Sequence, residues 1–200
     1  RDFYSIHKKN KWITNEYSRK RAHLIRSQYD SIISTSSTIN KDNSVLNCRL
    51  NGLDNNKPDL IIIDLKLKIK NNLDLFNLSK KRKILIVTKV DSGKKISYLK
   101  KRGVKFIQIK SLNCKSDFIF LLKKLKKQGF NRILIETGLV FLNTLFLFKL
   151  INNLYLFKSS IKLGSNGFNN SHVNLFKQFK LTRKIKVNLK EDKLYKVKIK

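Results

Sequence analysis

Short apolar runs alternate with amphipathic stretches along most of the chain. Six runs are rich in Ile, Leu or Val and are bounded by polar or turn residues, a pattern that predicts buried strands. They occupy residues 31–35, 60–64, 84–88, 105–109, 132–136 and 154–158. Helices are predicted between them over residues 16–28, 94–102, 118–125 and 139–148, from apolar spacing of three and four and from Gly103 and Gly129 as stops. This alternation predicts an α/β fold with mainly parallel central strands.

The start of the first helix and the C-terminal end carry separate signals. Thr14 or Asn15 is available as the N-cap of the helix over 16–28. Near the C-terminus, apolar residues alternate with polar ones over 185–189 and 195–199, with a polar turn at 190–193. That period of two predicts an antiparallel hairpin with one solvent-exposed face. The sheet is therefore expected to be mixed.

The charge of the chain is strongly positive, at +32 over 200 residues. A nucleic-acid-binding module is the rival function that such a charge suggests. However, the chain has 36 Lys, 9 Arg and a single Ala, which indicates AT-rich codons, and its basic residues are spread over its whole length. Most of the 13 Phe lie in apolar runs typical of core, whereas a nucleic-acid face needs exposed aromatic residues. We interpret the Lys as a solvated surface and expect the few Arg at places that need a planar fork.

Two other classes are disfavoured. The most apolar segment, 133–151, contains Glu136, Asn143 and Lys149, so no membrane span is predicted, and no signal-peptide pattern opens the chain. Cys48 and Cys114 have no metal-ligand spacing, and we expect two buried or half-buried thiols in a reducing compartment.

The histidines give no metal or catalytic signal. His7, His23 and His172 have no ligand spacing. His23 is interpreted as a helix-face residue rather than a catalyst.

The segment 12–49 carries the most informative motifs. In order along the chain they are Trp12-Ile13-Thr14, Ser18-Arg19, His23-Leu24-Ile25-Arg26, Asp30-Ser31-Ile32, and Thr38 followed by Asp42-Asn43-Ser44 and Leu46 to Arg49. The spacing resembles W-I-T, S-R, H-x-L-R, D-A-I and T-x-x-x-D-x-P-x-L-x-x-R of the reductase domain in the bacterial riboflavin-biosynthesis deaminase/reductase. Residues 133–138 and 161–164 resemble later motifs of that family, so the likeness covers about residues 11–167.

This resemblance implies a fold like that of dihydrofolate reductase, with a mixed, mostly parallel sheet, flanking helices and the C-terminal hairpin. It implies NADPH-dependent reduction of 5-amino-6-(5-phosphoribosylamino)uracil to its ribitylamino product, with hydride delivered to the sugar C1. A related pyrimidine or pterin reductase of the same fold is the alternative. A cytoplasmic homodimer without specific nucleic-acid or membrane partners is expected.

Four residues are expected to bind the substrate. The family's counterparts of Arg26, Leu46 and Arg49 contact the phosphorylated ribosylaminopyrimidine, and the counterpart of Glu136 is also a substrate ligand. We expect Arg26 to face out of the first helix and Arg49 to follow a turn, so that the two can clamp a phosphate. Taken alone, each Arg would be interpreted as a surface salt-bridge residue. The motifs identify no general acid.

Four other residues are expected to contact NADPH. By resemblance, Trp12, Thr38 and Asp42 line the nicotinamide-cofactor site. Gly138 separates a strand from a helix, and the free N–H groups at such a helix start suit a cofactor pyrophosphate. Two positions depart from the family pattern: Ser44 stands where Pro is usual, and Thr137 stands where Gly or Ala is usual.

The beginning of the chain lacks two expected features. Position 1 is not Met, and the family's K-x-A-x-S-x-D-G strand is not recognisable in residues 1–10. No H-x-E with P-C-x-x-C signature of a zinc deaminase occurs. We therefore expect a single reductase domain over 1–200 that is truncated at its N-terminus, with a deaminase domain and the first reductase strand upstream.

Overall fold

The computed structural model describes residues 12–53, 58–161, 181 and 183–199. Helices in these ranges are α1 (Glu16–Arg26), α2 (Ser36–Asp42), α3 (Lys94–Lys101), α4 (Lys115–Lys127) and α5 (Leu139–Leu147), with a 3-10 helix at Asp74–Leu78. The strands are β1 (Ser31–Thr35), β2 (Asp59–Ile63), β3 (Ile84–Thr88), β4 (Lys105–Gln108), β5 (Ile133–Ile135), β6 (Asn153–Lys158) and β7 (Lys193–Lys198). The six strands and four helices predicted from periodicity are therefore present, with bounds that differ by a few residues.

The chain divides into two compact units. Residues 23–137 form one, here called the sheet unit, and the described residues of 1–22 and 138–200 form the other, here called the C-terminal unit. The boundaries fall within α1 and between Thr137 and Gly138.

The sheet unit contains five parallel strands in the order β4-β3-β2-β1-β5. All five residues of β3 and four of the five in both β1 and β2 are buried. Strands covered on both faces need apolar side chains at consecutive positions, which is why they appear in the sequence as unbroken Ile, Leu and Val runs. The expected parallel core is confirmed.

Both faces of this sheet are apolar. On one face, alternate strand residues such as Ile32, Ile62 and Ile86 pack in one cluster with Ile96 and Leu99 of α3. The intervening strand residues point to the opposite face because side chains alternate along a strand. The apolar stripe of α4, formed by Phe118, Leu121 and Leu125, is also buried.

The short helix α2 was not predicted from the sequence. Its seven residues, SSTINKD, carry no long apolar stripe, so periodicity gives no signal. Local polar groups define its ends: the Thr38 N–H donates to Thr35 Oγ1 at 3.3 Å, and Asn43 ends the helix in the left-handed conformation with φ 46°. Asp42 and Asn43 of the motif at 42–44 are therefore the last residue and the C-terminal cap of a helix.

The C-terminal unit contains the expected antiparallel pairing. Residues 183–185 meet β7 through a single bridge, Lys184 to Tyr195, and two backbone hydrogen bonds. The full ladder of β7 is made with β6, from Asn153 opposite Lys198 to Lys158 opposite Lys193. The segment predicted as a buried strand at 154–158 is thus a half-buried strand of the antiparallel sheet.

The start of α1 is fixed by polar contacts within the C-terminal unit. Asn15 is the N-cap, since its Oδ1 accepts from the Ser18 N–H at 2.9 Å, as one of the two sequence alternatives predicted. Asp192 is 5% exposed, and its Oδ2 accepts from Asn15 N–H at 2.9 Å and Ser18 Oγ at 2.6 Å. The polar turn before β7 therefore holds the first turn of α1.

One cysteine prediction is wrong. Cys48 is buried, but Cys114 is exposed, because it is the N-cap residue of α4 and lies outside that helix's apolar stripe. Across the described ranges, no helix is long and apolar enough to cross a bilayer.

Candidate active site

The strand order of the sheet unit indicates where a ligand would bind. From β1 the chain adds β2, β3 and β4 on one side, then crosses back through α4 to place β5 on the other side of β1. In parallel α/β sheets, ligands bind outside the carboxyl ends of the strands at the point where the order reverses. Here that point lies where β1 ends at Thr35 and β5 ends at Ile135.

Arg26 and Glu136 meet beside this point. Glu136 directly follows β5, and its backbone N–H donates to Ile33 O of β1 at 3.0 Å. Arg26 Nε donates to Glu136 Oε1 and Arg26 Nη2 donates to Glu136 Oε2, both at 2.7 Å. Arg26 is 7% exposed, so the expectation that it faces out of α1 is wrong. Because the planar fork matches a carboxylate, the two side chains form a bidentate ion pair.

The ion pair keeps Arg26 charged. Burial lowers the pKa of the guanidinium, but the attraction and hydrogen bonds of Glu136 outweigh burial and raise that pKa above its ordinary value. The Glu136 carboxylate has a side-chain exposure of 28% and so keeps a face toward solvent.

His23 lies one helical turn before Arg26 and touches the same group of atoms. Its Nδ1 is 3.0 Å from Asn47 O, 3.3 Å from the Arg49 backbone N and 3.4 Å from Arg26 Nη1. Arg26 Nη1 also donates to Asn47 O at 3.2 Å. These contacts connect the last turn of α1 to the segment that carries Arg49.

Arg82 fixes the same segment from the other side. It is 6% exposed, and its Nη1 donates to Leu46 O at 2.9 Å and Pro58 O at 3.1 Å, while Nη2 donates to Val45 O. Burial lowers the pKa of Arg82 to about 10, which leaves it charged at neutral pH. A guanidinium bound to three carbonyls holds the 45–46 backbone, in which Leu46 has a φ of 52°.

The two remaining substrate candidates differ in exposure. The Leu46 side chain is 5% exposed within the sheet cluster, so any ligand contact would come through its backbone. Arg49 is exposed, and its backbone N–H is directed to His23. Arg26, Glu136 and Arg49 are thus gathered around His23.

Three threonine hydroxyls continue the polar surface at the ends of β1 and β5. Thr137 Oγ1 donates to Thr35 Oγ1 at 3.4 Å, and the Thr35 and Thr38 hydroxyls lie 3.0 Å apart. These hydroxyl contacts connect the candidate cofactor residue Thr38 to Thr137, the residue after Glu136. Asp42 is half-buried and is the last residue of α2, the helix that also contains Thr38.

Two Asn side chains from α2 and its cap hold the loop after β2. Asn40 Nδ2 donates to Lys68 O and its Oδ1 accepts from Lys70 N–H, each at 2.9 Å. Asn43 Nδ2 donates to the carboxylate oxygen Oδ2 of Asp74 at 2.8 Å, and Asn43 Oδ1 accepts from the Asp74 N–H at 3.1 Å. The helix carrying Thr38 and Asp42 is therefore tied to this loop at two points.

The other two cofactor candidates belong to the C-terminal unit. Trp12 is 46% exposed, and the Arg19 guanidinium lies 4.9 Å from its ring centroid. Both residues line a cavity of about 410 Å³ together with residues such as Ser160 and Lys190. Gly138 is the N-cap of α5. Of the motif at 161–164, residues 162–164 lie outside the described residues.

Comparison with known proteins decides the family. The sequence profile described as "RibD C-terminal domain" matches residues 5–197. The chain belongs to the RibD C-terminal domain family.

Relatives of this RibD C-terminal domain have related names. The riboflavin biosynthesis protein RibD of Actinobacillus pleuropneumoniae is 31% identical over 129 residues, which cover 64% of this chain and 34% of that protein. The 5-amino-6-(5-phosphoribosylamino)uracil reductase of Buchnera aphidicola (subsp. Acyrthosiphon pisum) is 32% identical over 140 residues, covering 64% of this chain and 65% of that protein. The chain thus spans between about one third and two thirds of these relatives.

Solved structures establish the fold of the RibD C-terminal domain here. Acinetobacter baumannii RibD matches with a TM-score of 0.76 at 20% identity, covering 98% of this chain and 54% of that chain. The yeast riboflavin biosynthesis reductase Rib7 matches with a TM-score of 0.68 at 21% identity, and the match covers 92% of this chain and 81% of the yeast chain. The expected mixture of parallel sheet, flanking helices and C-terminal antiparallel pairing is confirmed.

Sequence reasoning missed two residues of this RibD C-terminal domain site. Arg82 fulfils the criterion applied to Arg26 and Arg49, an Arg retained in a Lys-rich chain, and this signal could have identified it. His23 was interpreted as a helix-face residue, but it is half-buried among Arg26, Asn47 and Arg49. Its spacing of three from Arg26 places both on one side of α1 and was the available signal.

Proposed function

We propose that this domain reduces 5-amino-6-(5-phosphoribosylamino)uracil to the ribitylamino product with NADPH. One observation carries the proposal. His23 contacts Arg26 and the Arg49 backbone, and Arg26 binds Glu136, beside the point where the strand order of this RibD C-terminal domain sheet reverses. The fold family and a relative named as this reductase support it.

Arg49 is the residue proposed to take the substrate phosphate. Its guanidinium is exposed, while its backbone is held by His23. A planar guanidinium can bind a phosphate with two parallel hydrogen bonds, which an ammonium cannot do. Arg26 lies close by, but its fork is bound to Glu136, which balances its charge.

Glu136 is proposed to hold the sugar hydroxyls or amine of the substrate. Its side chain is 28% exposed, so part of the carboxylate faces solvent while Arg26 binds it through two hydrogen bonds. Because Arg26 fixes its orientation, the carboxylate needs little reorganisation when substrate arrives. The work of these side chains is to bind and orient, and we assign no general acid.

The residues present fit a nicotinamide dinucleotide. Hydroxyl groups of Thr35, Thr38 and Thr137 form a continuous polar edge at the carboxyl ends of β1 and β5, where such a cofactor binds in α/β sheets. We propose that Thr38 and Asp42 of the sheet unit contact the cofactor. The roles expected for Trp12 and Gly138 stay predictions from the sequence. NADPH, when bound, supplies the hydride.

The remaining expectations about partners stay predictions. They are a homodimer, a deaminase domain in the complete protein, and a cytoplasmic location. A deaminase and a reductase are named together for the Thermotoga maritima protein, which matches with a TM-score of 0.71 at 20% identity.

The test is the oxidation of NADPH followed by absorbance in the presence of the phosphoribosylaminouracil. Turnover dependent on both compounds is expected. A substrate panel with other pyrimidines and a pterin distinguishes this reaction from related reductions. Thermal-shift titrations with NADPH and with duplex DNA at 200 mM salt address the positive charge, because non-specific DNA binding weakens steeply with salt. Stabilisation by DNA alone at that salt would contradict the proposal.

A further inference from the structure

The environment of the His23 ring is crowded with hydrogen-bonding groups. A carbonyl, Asn47 O, and two N–H donors, at Arg49 N and Arg26 Nη1, lie 3.0, 3.3 and 3.4 Å from the same nitrogen, Nδ1. A single ring nitrogen is either a donor or an acceptor, so it cannot serve all three groups.

Counting partners distinguishes the two states. If Nδ1 carries the proton, it donates to Asn47 O, but it cannot accept from the N–H groups of Arg49 and Arg26. If Nδ1 is an acceptor, it receives those two N–H groups, and Asn47 O still accepts from Arg26 Nη1 at 3.2 Å. Arg26 Nη1 and Asn47 O are paired with each other in either state, so the difference lies in the Arg49 N–H, which has a protein partner only when Nδ1 is the acceptor.

We propose that His23, neutral and with Nδ1 as acceptor, is a positioning residue that holds the Arg26 guanidinium and the Arg49 backbone in the arrangement that receives the substrate phosphate. This inference rests on the proposed function. Its physical basis is that His23 is contributed by α1, whereas Arg49 is on the segment after α2, so the ring joins two separate parts of the site.

The surrounding charges agree with a neutral ring. Burial, followed by the charges of Arg26 and Arg49, lowers the pKa of His23, whereas the Asn47 carbonyl and Glu136 act in the opposite direction with smaller effect. An imidazolium would add a third positive charge beside two guanidinium groups and would have no acceptor at Nδ1.

Three variants of the protein separate this role from simple packing. His23→Asn places an amide oxygen near the position of Nδ1 and keeps an acceptor there. His23→Gln places its amide near Nε2, and His23→Phe keeps the ring shape without any acceptor. We expect the substrate KM to stay within about threefold for Asn and to rise about tenfold for Gln and Phe, as for one lost hydrogen bond to a charged site. The kcat and the KM for NADPH should stay within about twofold.

Urea unfolding of each variant identifies any loss of fold. If His23→Phe does not fold, the comparison of substrate KM between His23→Asn and His23→Gln still tests the inference. Nitrogen-15 NMR of the ring supplies an independent readout, with the His23 signals assigned by their absence in His23→Asn. We expect an unprotonated Nδ1 at neutral pH. A protonated Nδ1, or a wild-type KM in His23→Gln and His23→Phe, would overturn the inference alone. Lack of turnover by the wild-type protein would overturn the proposed function and the inference with it.

Discussion

Arg26 and Glu136 lie 110 positions apart in the sequence and are joined by two hydrogen bonds of 2.7 Å. The pair links the last residue of α1 to the residue that follows β5. Both residues were expected to bind substrate, yet in this structure each is the other's partner. The proposed substrate contact with Glu136 would therefore use the exposed part of its carboxylate or compete with Arg26.

Removing the carboxylate is expected to destabilise the fold. Glu136→Ala leaves Arg26, which is 7% exposed, without its ion-pair partner. Since loss of one member of a buried pair costs up to about 3–5 kcal/mol and Glu136 is partly exposed, we expect the free energy of unfolding to fall by about 2–3 kcal/mol. Urea unfolding measures it.

The pair Lys20 and Glu16 provides the control for this change. These residues form an exposed ion pair at 2.7 Å on α1, with side-chain exposures of 65% and 64%. Glu16→Gln should leave the free energy of unfolding nearly unchanged, because exposed ion pairs contribute little to stability. Equal effects of Glu136→Ala and Glu16→Gln would contradict a structural role for the buried pair.

Arg49→Lys tests the phosphate clamp. Lysine keeps the charge but loses the planar fork, so the substrate KM should rise about 10- to 150-fold, corresponding to about 1.5–3 kcal/mol. NADPH affinity should change little. Arg132→Lys is the matched control, because Arg132 is also exposed but precedes β5 at the amino end of the strand. If Arg49→Lys left the KM unchanged, Arg49 would be a surface residue.

The parallel sheet could be predicted because its physics is local in the sequence. Strands buried on both faces, such as β3 with five buried residues, require unbroken apolar runs. The helix α2 could not be predicted in this way, since a side-chain cap at Thr35 and the left-handed Asn43 define it rather than an apolar stripe.

Candidate site residues could be named from the sequence one by one, but their arrangement could not. Motif spacing singled out Arg26 and Glu136 as candidates, whereas their ion pair depends on the strand order that places β5 beside β1. The expectation that Arg26 faces out of α1 was wrong for the same reason, because its partner Glu136 is distant in sequence. The pairing of β7 with β6 was likewise invisible in the local alternation around residues 185–199.

Arg82→Lys tests how strongly the 45–46 backbone is fixed. One ammonium cannot reach the three carbonyls of Val45, Leu46 and Pro58 with the geometry of a guanidinium. We expect the free energy of unfolding to fall by about 1.5–3 kcal/mol, the range for hydrogen bonds to a charged group. Arg82→Lys should also raise the substrate KM, because Arg49 follows the fixed segment. Unchanged stability in urea would show that the carbonyl contacts contribute little.

The pH dependence of stability should report the state of His23. Its pKa is lowered from the ordinary value of 6.5 by burial and then by Arg26 and Arg49, with Glu136 acting in the opposite direction. As the pH falls below about 6.5, the unfolded chain therefore takes up this proton before the folded chain does, so folding becomes less favourable. The loss continues until the pH reaches the folded pKa and then stops.

Subtracting the unfolding free energies of His23→Asn from those of the wild type isolates this proton, since the other titrating groups are common to both proteins. Urea unfolding from pH 8 to pH 4.5 should give a difference that is constant above about pH 7.5 and declines as the pH falls through 6.5. The sign of that slope is decisive. A difference that instead grew toward acid pH would mean that Glu136 stabilises a protonated His23, and the ring could not then be the acceptor that holds the Arg49 backbone.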